Sequence, residues 1–140
     1  MGCDIHAHFE IKVKNKWHHH SQPQIRRNYD LFGKMAGVRS EVTPITEPKG
    51  LPKSLSVVTK MDSDRKIWDS DGHTHSWFDA DEIKEIIEFH ETQYDPGESW
   101  KTSIEQWFYL FGNSWDCFNK YREDYPKEIE DIRLVFWFDS

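Results

Sequence analysis

A chain of 140 residues with seven tryptophans and nine phenylalanines has the aromatic mass for a packed core, and this argues against disorder although 31% of its residues are charged. A net charge of −7 excludes a general grip on a nucleic-acid polymer, which needs a basic patch. Two cysteines make no disulfide framework, no apolar run reaches a membrane span and no charged-then-apolar leader opens the sequence. The expectation is a single domain over 1–140, free of the membrane, in a reducing cytoplasm (the host's, if the gene is phage-borne).

From the start of the chain, Asp4, His6, His8 and Glu10 alternate with Ile5, Ala7 and Phe9, and Ile11 and Val13 extend the apolar set. Successive strand side chains point to opposite faces, so a strand over about 4–13 puts the polar row on one side and the apolar row on a core. Lys14-Asn15-Lys16 then makes a turn, and residues 4–20 read as a hairpin. His18, His19 and His20 alternate across its second strand and read as an exposed edge rather than a ligand cluster.

Asn28 is placed to cap a short helix and Gly37 to close it in the left-handed conformation. Pro44, Pro48, Gly50 and Pro52 make 43–53 a long loop, and 54–64 is left ambiguous. Residues 69–77 read as a polar turn feeding a helix, with Asp79 as its cap and Glu82 as the reciprocal partner three residues on. Ile83, Ile86, Ile87 and His90 then share one helical face, which gives His90 a core or boundary position. A second helix is expected over about 102–122, with Ile104, Trp107, Phe108, Phe111, Trp115 and Phe118 as its packing stripe. The near-continuous apolar run 132–138 suits a central strand covered on both faces, lying beside the first strand. The architecture expected is α+β: a small, mostly antiparallel sheet including both terminal strands, packed on two or three helices.

The polar row has no evident use in folding. His6/His8 and His73/His75 are both H-x-H pairs, preceded by Asp4 and Asp71, and in extended backbone the imidazoles of each pair share a side. Imidazole with carboxylate is the donor set of zinc, manganese or iron, so Asp4, His6, His8, His73 and His75 are candidate ligands of a divalent metal. Such an ion activates water and clamps a phosphoryl oxygen. Glu10 is a further ligand or a general base, which makes Asp4, His6 and Glu10 the candidate catalytic set. Arg27, Asn28 and Arg39 can hold a phosphate or carboxylate through forked hydrogen bonds, and Trp77 can stack on a base or sugar. Cys3 reads as a small buried residue rather than a nucleophile.

Two functions of different class follow for a small phosphorylated or nucleotide-like ligand. The leading one is metal-assisted phosphoester hydrolysis, because a pure binder would not require ligand-type residues at paired spacing; the alternative is capture and sequestration of a host nucleotide signal without chemistry. The oligomeric state is left open, a homo-oligomer included.

Asp4-Ile5-His6 and Gly72-His73-Thr74-His75 resemble the first and last metal motifs of calcineurin-like metallophosphoesterases, but the intervening G-D-x-x-D and G-N-H-[DE] motifs are missing. The D-x-H-x-H pattern also resembles the opening strand of amidohydrolase barrels, which need about 250 residues. A broader resemblance runs through Met1-Gly2-Cys3-Asp4-Ile5-His6, Arg27-Asn28-Tyr29-Asp30-Leu31-Phe32, Ala36-Gly37-Val38-Arg39, Gly50-Leu51-Pro52, His73–Trp77 and Arg133–Asp139. Together these are similar to a family of small phage and prophage proteins. That resemblance implies a phage-type accessory protein that interferes with host defence. His8 departs from the family pattern, which favours Asp4, His6 and Glu10 as the essential members of the row.

Overall fold

The computed structural model describes residues 2–23, 25, 27–65, 71–92 and 130–140. Its centre is a four-stranded antiparallel sheet, β1 (Asp4–Val13), β2 (Lys16–Ser21), β3 (Gly72–Phe78) and β4 (Asp131–Asp139), in the order β2-β1-β4-β3. Among the described residues three helices accompany it: α1 (Tyr29–Ala36), α2 (Val57–Ser63) and α3 (Ala80–Thr92). The fold is α+β, with both terminal strands side by side in the middle of the sheet. Among the described residues no helix is long and apolar enough to cross a membrane. The helix expected over 102–122 lies outside the described residues.

Local chemistry accounts for most of these elements. Lys14 and Asn15 both take positive φ (50° and 61°), the geometry of the two-residue hairpin turn that matches strand twist. Asn28 accepts the Leu31 N–H at the start of α1, and Gly37 (φ 70°) returns its N–H to the carbonyls of Phe32 and Gly33 at the end. Asp79 and Glu82 make the expected reciprocal box: Glu82 N–H to Asp79 Oδ1 at 2.9 Å, and Asp79 N–H to Glu82 Oε1 at 3.0 Å.

In the middle of the chain one expectation is corrected and one open segment is decided. Residues 72–78 are strand β3, not a polar turn. The segment 54–64 contains α2, capped by the Ser56 hydroxyl on the Thr59 N–H. Neither element carries the usual apolar signature. Val57, Val58 and Met61 of α2 face solvent, Val57 at 73% exposure.

One face of the sheet is the core. Ile5, Ala7 and Phe9 of β1 and Ile132, Leu134, Phe136 and Phe138 of β4 pack with Leu31, Phe32 and Met35 of α1 and Ile83 and Ile86 of α3. The other face carries the alternate residues of the same strands. There Asp4, His6, His8 and Glu10 stand opposite Asp139, Trp137, Val135 and Arg133. α2 approaches this second face, joined to β1 through Asp62 and His8.

His90 closes the apolar stripe of α3, buried beside the Asn28 amide. Burial draws its pKa down from 6.5 to about 4. The folded chain therefore holds it neutral while the unfolded chain takes up a proton near the ordinary value. Its effect on stability vanishes above pH 6.5 and grows as pH falls towards 4. At about 1.4 kcal/mol per pH unit, the loss reaches roughly 3 kcal/mol. Urea midpoints at pH 7 and 4.5 check this: His90→Gln, which keeps an acceptor for Asn28, is expected to flatten the decline.

Candidate functional site

The polar row of β1 exists as expected, but each member has its own partner. Asp4 is bound by Arg27 in a forked pair, Nε to Oδ1 at 2.6 Å and Nη2 to Oδ2 at 3.0 Å. The hydrogen bonds from Arg27 hold the Asp4 carboxyl below its ordinary range. His6 pairs through Nε2 with Asp139, both about one-fifth exposed. His8 is buried, with Nδ1 3.0 Å from His19 Nε2 and Nε2 2.7 Å from Asp62 Oδ2. Burial draws the His8 pKa down although Asp62 opposes it.

Glu10 is fully buried and both its oxygens are engaged. Oε1 accepts from Arg133 Nε at 2.7 Å, and Oε2 accepts the Ser56 N–H at 2.8 Å. Burial pushes its pKa up, but the bonds from Ser56 and Arg133 outweigh it and hold the carboxyl below the usual range. Arg133 also donates to the carbonyls of Lys53 and Ser54. The expected general base is thus the anchor of a buried network that fixes the 53–56 loop on β4. It has no path to solvent or substrate.

The second H-x-H pair does not share a face. The β3–β4 register shifts between His73 and Ser76, where Thr74 takes φ 55°. This bulge inserts a residue and breaks the alternation. His73 stays opposite Phe138, on the core side, with Nδ1 to Thr74 Oγ1 and Nε2 to Ser140 Oγ, both 2.8 Å. His75 lies on the other side, stacked on Trp137 at 5.8 Å between ring centroids. Burial lowers the His75 pKa, with the neighbouring His73 adding to the effect.

Trp137 organises this end of the second face. His6 and His8 of β1 stack on it at 6.0 and 5.4 Å, and His75 of β3 at 5.8 Å. Its side chain is fully buried, and its Nε1–H has no hydrogen-bond acceptor among the described residues. Buried donors are nearly always paired, and an unpaired one costs ~1–3 kcal/mol. The topology therefore brings His6 and His75 to either side of one indole with an unused donor. β4 separates the two histidines' strands by about 10 Å, two strand spacings.

Among the described residues, no three His, Cys, Asp or Glu side chains come together in a set that could hold a metal. Asp4, His6, His8, His73 and His75 are spread over two faces and separate partners, and their donor atoms do not fit a common ion. Of the other expected ligand residues, Arg27 is exposed at the edge of this end, tied to Asp4. Arg39 lies over the Tyr29 ring at 5.9 Å. Asn28 is spent on capping α1 and on His90. Trp77 lies on β3 with Lys49 Nζ 4.1 Å from its ring centroid. Cys3 is buried, and burial raises its pKa.

Asp139, Trp137 and Asp62 were not among the candidate site residues read from the sequence, and His19 was read as part of an exposed edge. Asp139 and Trp137 end a strand that reads as core, and only the β1–β4 register sets them beside Asp4 and His6. His19 had a signal in its place within the histidine triplet; Asp62 had none. Comparison with protein-family models, curated proteins and solved structures returned no match.

Proposed function

We propose that this end of the second face binds a small phosphorylated or nucleotide-like molecule and holds it without chemistry. The observation that carries the reading is the unpaired Nε1–H of Trp137 ringed by the imidazoles of His6, His8 and His75. The indole N–H is a donor, and a phosphate oxygen is a strong acceptor that fits it. Arg27 at the rim adds positive charge for an incoming anion. The resemblance in the opening residues supplies the setting, a phage-type accessory protein that sequesters a host nucleotide signal.

Hydrolysis of the same ligand is the second reading, favoured by the His6–Asp139 pair. A carboxylate that orients an imidazole is a common arrangement for moving a proton. One experiment separates the two. The untagged chain is incubated with AMP, with and without EDTA, then heat-released and analysed by mass spectrometry. Binding without chemistry returns intact AMP in both samples, and His6→Ala/His75→Ala protein retains little of it. Recovery of adenosine and phosphate alone sinks the binding reading in favour of hydrolysis. No retention of AMP by the wild-type chain sinks both for this ligand.

A further inference from the structure

The second face holds another concavity, at the opposite end from the imidazoles. It is a cleft of about 650 Å³ whose lining includes Asp131 and Arg133 of β4, Trp17 of β2, Trp77 of β3, and Asp79 and Lys53 from the adjoining loops. That volume falls in the usual small-ligand range of ~300–1,000 Å³. The strand order sets the two indoles on opposite flanks of β4.

Each indole is held by a cation that is itself fixed. The Arg133 guanidinium lies 4.0 Å from the Trp17 ring centroid and is anchored by Glu10. Lys49 Nζ lies 4.1 Å from that of Trp77 and is paired with Glu82. Rings pinned in this way form a rigid stacking surface. Arg133 is spent on Glu10 and two backbone carbonyls, and Lys53 is an exposed cation in the lining. Against it stand two carboxylates. Asp79 Oδ1 accepts from Glu82 N–H and Asp131 Oδ1 from Ile132 N–H, and each second oxygen has no hydrogen-bond partner among the described residues. The cleft thus offers aromatic surface and hydrogen-bond acceptors, where the imidazole end offers the indole donor. Trp77 pairs with Val135, two residues from Trp137, so the Trp77 flank of the cleft lies about 7 Å from the imidazole end along the strands. A nucleotide spans that distance.

We infer that the Trp17/Trp77 cleft is the base subsite for the molecule whose phosphate occupies the imidazole end, and that Asp79 and Asp131 select bases carrying an exocyclic amino group. The inference rests on the binding reading above for the phosphate, but the cleft can be tested separately. Titration calorimetry on the full chain would use AMP, UMP, adenosine and inorganic phosphate. Loss of a stacked base by alanine substitution weakens binding at least about fivefold. Trp77→Ala is expected to weaken AMP and adenosine by that factor and leave phosphate unchanged. Trp77→Phe, which keeps a stacking ring, is expected to recover most of the loss and serves as the folding control. AMP is expected to bind at least about fivefold more tightly than UMP, which lacks the amino group, and Asp131→Asn to narrow that ratio. AMP binding within twofold of wild type in both Trp17→Ala and Trp77→Ala overturns the subsite, and equal affinity for AMP and UMP overturns the selection. Phosphate binding with no gain from the base removes the cleft and leaves the phosphate reading standing. Adenosine binding without phosphate binding does the reverse.

Discussion

Glu10→Ala is expected to destabilise the chain by about 3–5 kcal/mol, the usual cost of removing one partner of a buried ion pair. The wild-type carboxylate is fully buried and accepts from Arg133 and from the Ser56 N–H. Its removal leaves a buried guanidinium without a counter-charge and a backbone donor without an acceptor. Typical domains are stable by only ~5–15 kcal/mol, so the variant populates the unfolded state visibly. Denaturant midpoints measure the loss, and a change below about 1 kcal/mol would contradict the network described here. Glu10→Met/Arg133→Met is expected to lie closer to wild type than either single variant, because apolar replacement of a whole buried pair is often neutral. The same carboxyl gives an acid dependence of known sign. Its folded pKa lies below the ordinary 4.5, so the stability it supplies is complete above that value and is lost as pH falls through the folded pKa. The double variant lacks that contribution. Loss of activity in Glu10→Ala alone would therefore say nothing about catalysis.

This distinction also marks how far the sequence could be read. The alternation over 4–13 placed Ile5, Ala7 and Phe9 in the core and the polar row opposite, because strand geometry is local. The caps at Asn28, Gly37 and Asp79 were equally legible, since each is a contact within a few residues. Partnership across the sheet was not. Glu10 and Arg133 are 123 positions apart, and only the β1–β4 register makes a buried pair of what looks like a free base. β3 escaped notice because its core-side alternation is broken by the bulge at Thr74, with a polar His73 on that side. The same bulge undid the expectation that His73 and His75 act together. α2 was hidden for the opposite reason: its apolar residues Val57, Val58 and Met61 point outward, and its inward residues are the polar Thr59 and Asp62.

Trp137→Phe separates the binding reading from a purely structural one. In the unliganded chain two effects oppose. The smaller ring opens a cavity, which costs stability, while deletion of the unpaired buried N–H removes a penalty of ~1–3 kcal/mol. The expected net change is within about 1 kcal/mol, against the 3–5 kcal/mol typical of truncating a buried tryptophan to alanine. Binding has no such compensation. The indole N–H is a buried donor with no acceptor among the described residues. His6 and His75 beside it are each only partly buried, so on the binding reading a ligand oxygen would have to displace one of them to reach it. Loss of a hydrogen bond to a charged phosphate is worth about 1.5–3 kcal/mol, so affinity for AMP or phosphate falls roughly 10- to 150-fold. Calorimetry beside a denaturation curve reads both effects on one preparation. Weakened binding with near-normal stability assigns the indole N–H to the ligand. Unchanged binding in a stabilised protein would make Trp137 a packing residue whose unused donor serves no ligand, and the phosphate would have to be held by Arg27 and the imidazoles alone.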